Sequence, residues 1–186
     1  GRLRANDPGT AGRTPCPHAQ PYYPIEGWMI GSIWLPLDPV PRDICVEYIA
    51  GSHKWQRWFA PQFFKSGNPE LTAQDPRFEA IPDFDAQRDR HELLAWDMEL
   101  GDCIFFHGLV VHGAPGNPSP RSRRRAYATR WLGEDTRYAT RAGPISPPFK
   151  SPARLVMRKC PLSFFSAPWH LKQFSFRISK TFWSKH

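Results

Sequence analysis

The sequence contains no apolar run of the roughly 18 residues that a membrane-crossing helix needs, and residues 1–20 lack the apolar stretch of a secretory signal. Cysteine is scarce and unpaired. Cys16, Cys45, Cys103 and Cys160 stand far apart, which excludes the paired spacing of a zinc site and reads as ordinary thiols of a reducing compartment. The expected location is therefore cytoplasmic. The terminal Ser184-Lys185-His186 is similar to a peroxisomal address but differs from it in the last residue. Helical periodicity is weak throughout, and no internal repeat is visible. Acidic residues are absent from 150–186, where eight Lys and Arg account for the whole net charge of +8. The rest of the chain is balanced, which argues against a nucleic-acid partner for the body of the protein.

What is present is proline, glycine and aromatic residues. With 21 prolines, 13 glycines and 14% aromatics in 186 residues, the composition suits one domain of short strands and many turns. Residues 1–20 are polar and Gly/Pro-rich, and read as a poorly organised segment. Residues 21–142 hold the core. The apolar runs Trp28–Leu37, Ile44–Ile49, Asp102–Val111 and Ala126–Leu132 predict four strands, with a long loop excursion over 54–98. Residues 143–186 turn Pro-rich and then basic and aromatic, with no strand or helix pattern, as in a disordered or non-native tail. The expected fold is mainly β, an antiparallel sandwich or jelly roll.

One ordered series of residues carries chemistry. In GDCIFFHGLVVHGAPGNPSPRSRRRAYATRWLGED, a Gly-Asp turn leads into an apolar strand, then His112, then Asn117, then an arginine cluster that opens another strand. Upstream lie TPCPHAQPYYPIEGWMIGSIWLPLD and VEYIAGSHKW. Together, over about residues 8–140, they resemble the phytanoyl-CoA dioxygenase family of Fe(II)- and 2-oxoglutarate-dependent oxygenases. The resemblance implies a partial double-stranded β-helix (a cupin-like jelly roll) and a small organic or lipid-like substrate that is hydroxylated. It also implies Fe(II) held by two histidines and a carboxylate, with 2-oxoglutarate as co-substrate. The far carboxylate of 2-oxoglutarate suits a planar guanidinium. By the same resemblance His112 is the distal iron ligand, Arg124 anchors 2-oxoglutarate, and Trp34 lines its pocket or simply fills the core. Arg123 and Arg125 are one register slip away from the role of Arg124. Strand alternation turns His107 to the face opposite His112, and Gly51-Ser52-His53 reads as a structural turn.

The series departs from the family at the other ligands. Thr14-Pro15 and Pro21-Tyr22-Tyr23-Pro24 align, but the family's His-x-Asp positions fall on Pro17 and Ala19, and neither can bind iron. A shift by one residue would offer His18 as a metal ligand, with Gln20 at the carboxylate position. Glu26 is the nearest carboxylate, and no pattern aims it at the site. Family members also carry earlier strands before this point, so exposed sheet edges are expected here. Three functions stay open: a dioxygenase with a degraded metal site, an inactive relative that binds 2-oxoglutarate, and a binder of anionic membrane surfaces or nucleic acid through residues 150–186.

Overall fold

β-branched and aromatic residues interrupted by Gly and Pro give strands rather than helices, and twelve short strands form among the described residues. The computed structural model describes residues 2–6, 9, 12, 18–60, 76–120, 123–141 and 175–178. Among them, β3 (Ile30–Pro36), β8 (Cys103–His107) and β10 (Arg124–Leu132) form the middle of a five-stranded antiparallel sheet. Its margins are β1 (Arg2–Asn6) beside β10 and β12 (Ser175–Ile178) beside β8. A second sheet of three strands faces it, ordered β7 (Leu93–Leu94), β4 (Glu47–Ile49), β9 (His112–Gly113). Two small pairs complete the set. β2 (Ile25–Glu26) pairs with β11 (Arg137–Tyr138), and β5 (Trp58–Phe59) runs parallel to β6 (Phe78–Glu79).

The main core lies between the two large sheets. Trp34, Ile104, Phe106, Ala126 and Ala128 come from the five-stranded sheet, and Val46 and Tyr48 from the other side. Alternation along β10 sends Arg124, Ala126 and Ala128 inward and leaves Arg125 and Tyr127 exposed. The mainly β, two-layered arrangement is the one expected from the sequence, and it is consistent with part of a jelly roll.

Several local expectations change. The predicted strand over 44–49 begins only at Glu47, because Arg42–Ile44 forms a 3₁₀ turn after Pro41. The excursion at 54–98 is not wholly loop, since β5, β6 and β7 lie within it, while 61–75 fall outside the described residues. At both ends of the chain, segments without hydrophobic periodicity supply strands. The backbone of each edge strand offers a row of unpaired N–H and C=O groups, and that template asks little of the sequence that meets it. The five-stranded sheet is thus flanked on both margins by segments that the sequence reads as unorganised. The remainder of the proposed tail, 142–174 and 179–186, lies outside the described residues.

A polar network pins β2 and β11. Arg141, whose side chain is 1% exposed, bonds Glu26 Oε1 at 2.9 Å, the Tyr23 carbonyl at 3.1 Å and the Ile25 carbonyl at 2.6 Å. Arg77 reaches the same carboxylate oxygen at 2.6 Å. The indole of Trp58 lies 5.0 Å from the Arg141 guanidinium and 5.5 Å from that of Arg77. The hydrogen bond from Arg77, then that from Arg141, holds the Glu26 carboxyl below its ordinary pKa.

Two predictions follow from this packing. A Cβ added at Gly31 would stand 2.5 Å from Cζ of the Phe105 ring. Gly31→Ala should therefore lower unfolding stability in urea by about 1–3 kcal/mol, whereas Gly12→Ala, with open space around it, should not. Glu26→Gln should cost about 1–3 kcal/mol at neutral pH, discounted for the half-exposed carboxylate but driven by the buried Arg141 charge. Because the folded-state pKa of Glu26 is depressed, its contribution is full above the ordinary carboxylate pKa and fades as pH falls through the folded value. Wild type and variant should then converge in acid urea titrations.

Candidate functional site

The site is organised by a crossing of the chain from one sheet to the other. The apolar run 102–111, expected as one strand, stops at His107, turns through Gly108 and Leu109, and resumes as β9 at His112 in the facing sheet. His107 makes the turn. Its Nδ1 accepts the Leu109 N–H at 3.0 Å, so Nε2 carries the proton and meets the Trp28 carbonyl at 2.6 Å. The reason given for separating His107 from His112, strand alternation, is replaced by this change of sheet; a structural part for His107 fits both bonds. Ser52 locks the other side. Its hydroxyl donates to the Ile49 carbonyl at 2.8 Å and accepts the Val111 N–H at 2.9 Å, so the Gly51-Ser52-His53 turn fixes the residue before His112.

His112 lies at the start of β9, opposite Tyr48 of β4. Its Nδ1 meets the Val110 carbonyl at 2.9 Å, which makes Nε2 the acceptor nitrogen of the neutral ring. The ring stacks on Tyr48 with centroids 5.7 Å apart and lies 4.8 Å from that of Phe106. Tyr48 was not singled out from the sequence, where Glu47-Tyr48-Ile49 reads only as a strand. It is fully buried, and its hydroxyl has no hydrogen-bond partner among the described residues. Burial pushes the phenol well above its ordinary pKa.

Of the three adjacent arginines, Arg124 alone points inward. Arg125 is paired with Asp38 at 2.6 Å on the surface, and Arg123 is exposed. Arg124 is 6% exposed as a residue, and its guanidinium donates to the carbonyls of Ile44 and Pro115, the latter at 3.0 Å. Among the described residues no carboxylate pairs with it. Burial lowers its pKa, opposed by the Cys45 thiol nearby, yet a guanidinium keeps its charge. A buried cation without a counter-ion is a costly arrangement that an anionic ligand would relieve. Trp34 is buried in the same core cluster as Tyr48 and Cys45, so its packing role is plain.

His18 is brought near His112, close enough for each charge to be felt by the other ring. Its nitrogens are committed elsewhere. Nε2 accepts the Phe59 N–H at 2.8 Å, and the other ring nitrogen bonds the Leu109 backbone. The ring stacks on Phe59 at 4.9 Å. The following residues are tied down too, because the Gly108 carbonyl accepts the N–H groups of Ala19 and Gln20 at 3.1 and 3.0 Å. The Gln20 side chain donates to the Gly27 carbonyl at 2.9 Å, and Glu26 is held by Arg77 and Arg141. Among the described residues no group of three His, Cys, Asp or Glu side chains could hold a metal ion. Pro17 lies outside the described residues. A 2-oxoglutarate oxygenase iron centre, with two histidines and a carboxylate on one face, does not fit the donors that are described.

Burial depresses three histidines, His18 to about 3 and His53 and His107 to about 4. For all three burial is the first cause; His112 adds to it at His18, and Lys54 at His53. Each is neutral when folded and takes up a proton more readily when unfolded. Stability is thus complete above an unfolded pKa of 6.5 and is lost as pH falls from there towards 4. Chemical-denaturation midpoints should fall in that window with a slope of up to about 1.4 kcal/mol per pH unit for each histidine, and His53→Asn should flatten it.

Comparison with known proteins agrees with the fold. Human peroxisomal phytanoyl-CoA dioxygenase is 25% identical over 122 residues, which is 65% of this chain and 33% of that protein. Among solved structures, the non-haem α-ketoglutarate-dependent carbocyclase SnoK from nogalamycin biosynthesis superposes with a TM-score of 0.53 at 20% identity, covering 74% of this chain and 49% of its own. The epimerase SnoN in complex with Fe3+, α-ketoglutarate and nogalamycin RO gives 0.55 at 16% identity, with 81% and 56% covered. The chain thus spans a third of the human protein and about half of these structures, and the structural likenesses speak for the fold. The pattern of the phytanoyl-CoA dioxygenase (PhyH) family matches residues 3–126, two-thirds of the sequence, and the chain belongs to that family.

Proposed function

We propose that this chain is a 2-oxoglutarate-binding member of the dioxygenase family that does not turn its ligand over with the donors described. The observation that carries this reading is Arg124: a guanidinium held inside the core by two backbone carbonyls, with no carboxylate pairing it among the described residues. Among the described residues two of its five N–H donors are used, which leaves donors for a planar carboxylate. Small side chains at Ala126 and Ala128 follow it along the inner face of β10, so the strand itself does not fill the space beside the cation. Against this stands the metal side. Ala19 offers no donor, and His18 would have to give up Phe59 and Leu109 before it could bind anything.

A second reading is an active dioxygenase that hydroxylates a small organic or lipid-like substrate. The closeness of His18 to His112 favours it, as does the α-ketoglutarate dependence named for the similar carbocyclase and epimerase. Iron would supply oxygen activation there, and this chain would supply His112 at one coordination position.

Calorimetric titration with 2-oxoglutarate should show saturable binding, and Arg124→Met should weaken it at least tenfold, as expected for a lost charge-assisted pair of about 1.5–3 kcal/mol. With Fe(II) and dioxygen added, succinate should not rise above the background without protein. Succinate production that disappears in His112→Ala would replace the binding reading with the catalytic one.

A further inference from the structure

Among all the buried polar groups, the Tyr48 hydroxyl is the one whose surroundings make least sense in an empty core. It sits on β4 in the cluster between the sheets, with no exposed surface and, among the described residues, no hydrogen-bond partner. An orphaned hydroxyl in such a place is destabilising, and phenylalanine would pack there without that cost. On one side its ring stacks on His112. On the other lies Cys45, close enough to act electrostatically on the phenol; Cys45 is in turn near the Arg124 guanidinium, and Arg124 bonds the carbonyl of the residue before Cys45. Tyr48 shares its packed cluster with Ala126 and Ala128, the two small residues next to Arg124 on the inner face of β10. A donor without an acceptor and a cation without a counter-ion among the described residues thus have Cys45 as a common neighbour.

We infer that the Tyr48 hydroxyl is a ligand-binding group, donating a hydrogen bond to the same carboxylate that Arg124 pairs with when a dicarboxylate of the 2-oxoglutarate class is bound. This rests on the reading of Arg124 given above. One ligand carboxylate would meet both needs, since each of its oxygens accepts from two directions. The phenol stays protonated, which suits a donor. The guanidinium supplies charge, and the hydroxyl fixes the orientation of the carboxylate relative to His112.

The test is Tyr48→Phe, which removes one oxygen and keeps the ring. Two readouts are needed on the full chain: the thermal midpoint without ligand, and 2-oxoglutarate affinity by calorimetry. The inference requires them to move in opposite senses. Without ligand the variant should melt at the same temperature as wild type or higher, while its affinity for 2-oxoglutarate should fall about tenfold. Wild-type binding that Arg124→Met abolishes but Tyr48→Phe leaves unchanged would overturn this inference and spare the reading of Arg124. Binding that neither substitution alters would overturn both. A variant that melts markedly lower than wild type would show that the hydroxyl has a structural partner in the folded chain, and would also overturn the inference.

Discussion

The turn from His107 to Val111 is the constraint on which the candidate site depends. It carries the chain from the five-stranded sheet to the three-stranded one, and almost every group around it is spent on holding it. Gly108 gives its N–H to Ile30 and its carbonyl to Ala19 and Gln20. Leu109 is held by His107 and His18, and Val111 by Ser52. Side chains that look like chemistry in the sequence are thereby used as backbone partners. A buried turn must satisfy its amides somewhere, and here the histidines do it.

This explains why the two halves of the site fare differently. On the distal side, His112 follows the turn directly and Arg124 follows from strand alternation, so both positions are set by short-range rules. On the proximal side, the segment beginning at His18 docks against the turn and enters a 3₁₀ turn at Gln20 rather than a strand. Its donors face the backbone of Gly108 and Leu109. Arg124 keeps a buried guanidinium with no carboxylate partner among the described residues, while His18 and Gln20 are spent on backbone partners.

The sequence made some of this legible and hid the rest for physical reasons. Arg124 was set apart from Arg123 and Arg125 by the family resemblance, and alternation alone left the three one register slip apart; the burial pattern of β10 is what turns Arg124 inward. Gly51-Ser52-His53 could be read as a turn, though not that Ser52 reaches across to Val111, since that bond joins residues 59 positions apart. The break inside 102–111 was hidden because CIFFHGLVV is apolar on either side of one glycine. Tyr48 was invisible for another reason: a strand tyrosine is ordinary, and only the absence of a partner for its hydroxyl sets it apart. β1 and β12 could not be foreseen from periodicity, because pairing at a sheet edge is made by backbone groups common to every sequence.

The docking of Ala19 and Gln20 on Gly108 also bears on whether the metal site could be repaired. The missing carboxylate looks like a single lost side chain, to be restored by writing aspartate at position 19. Yet the direction of any side chain there is fixed by two amide bonds to one carbonyl and by the helical backbone of Ala19, at φ −84° and ψ −31°. A new carboxylate would follow that backbone wherever it leads. Restoring a metal centre is therefore a problem of moving a segment, and the residue change comes second.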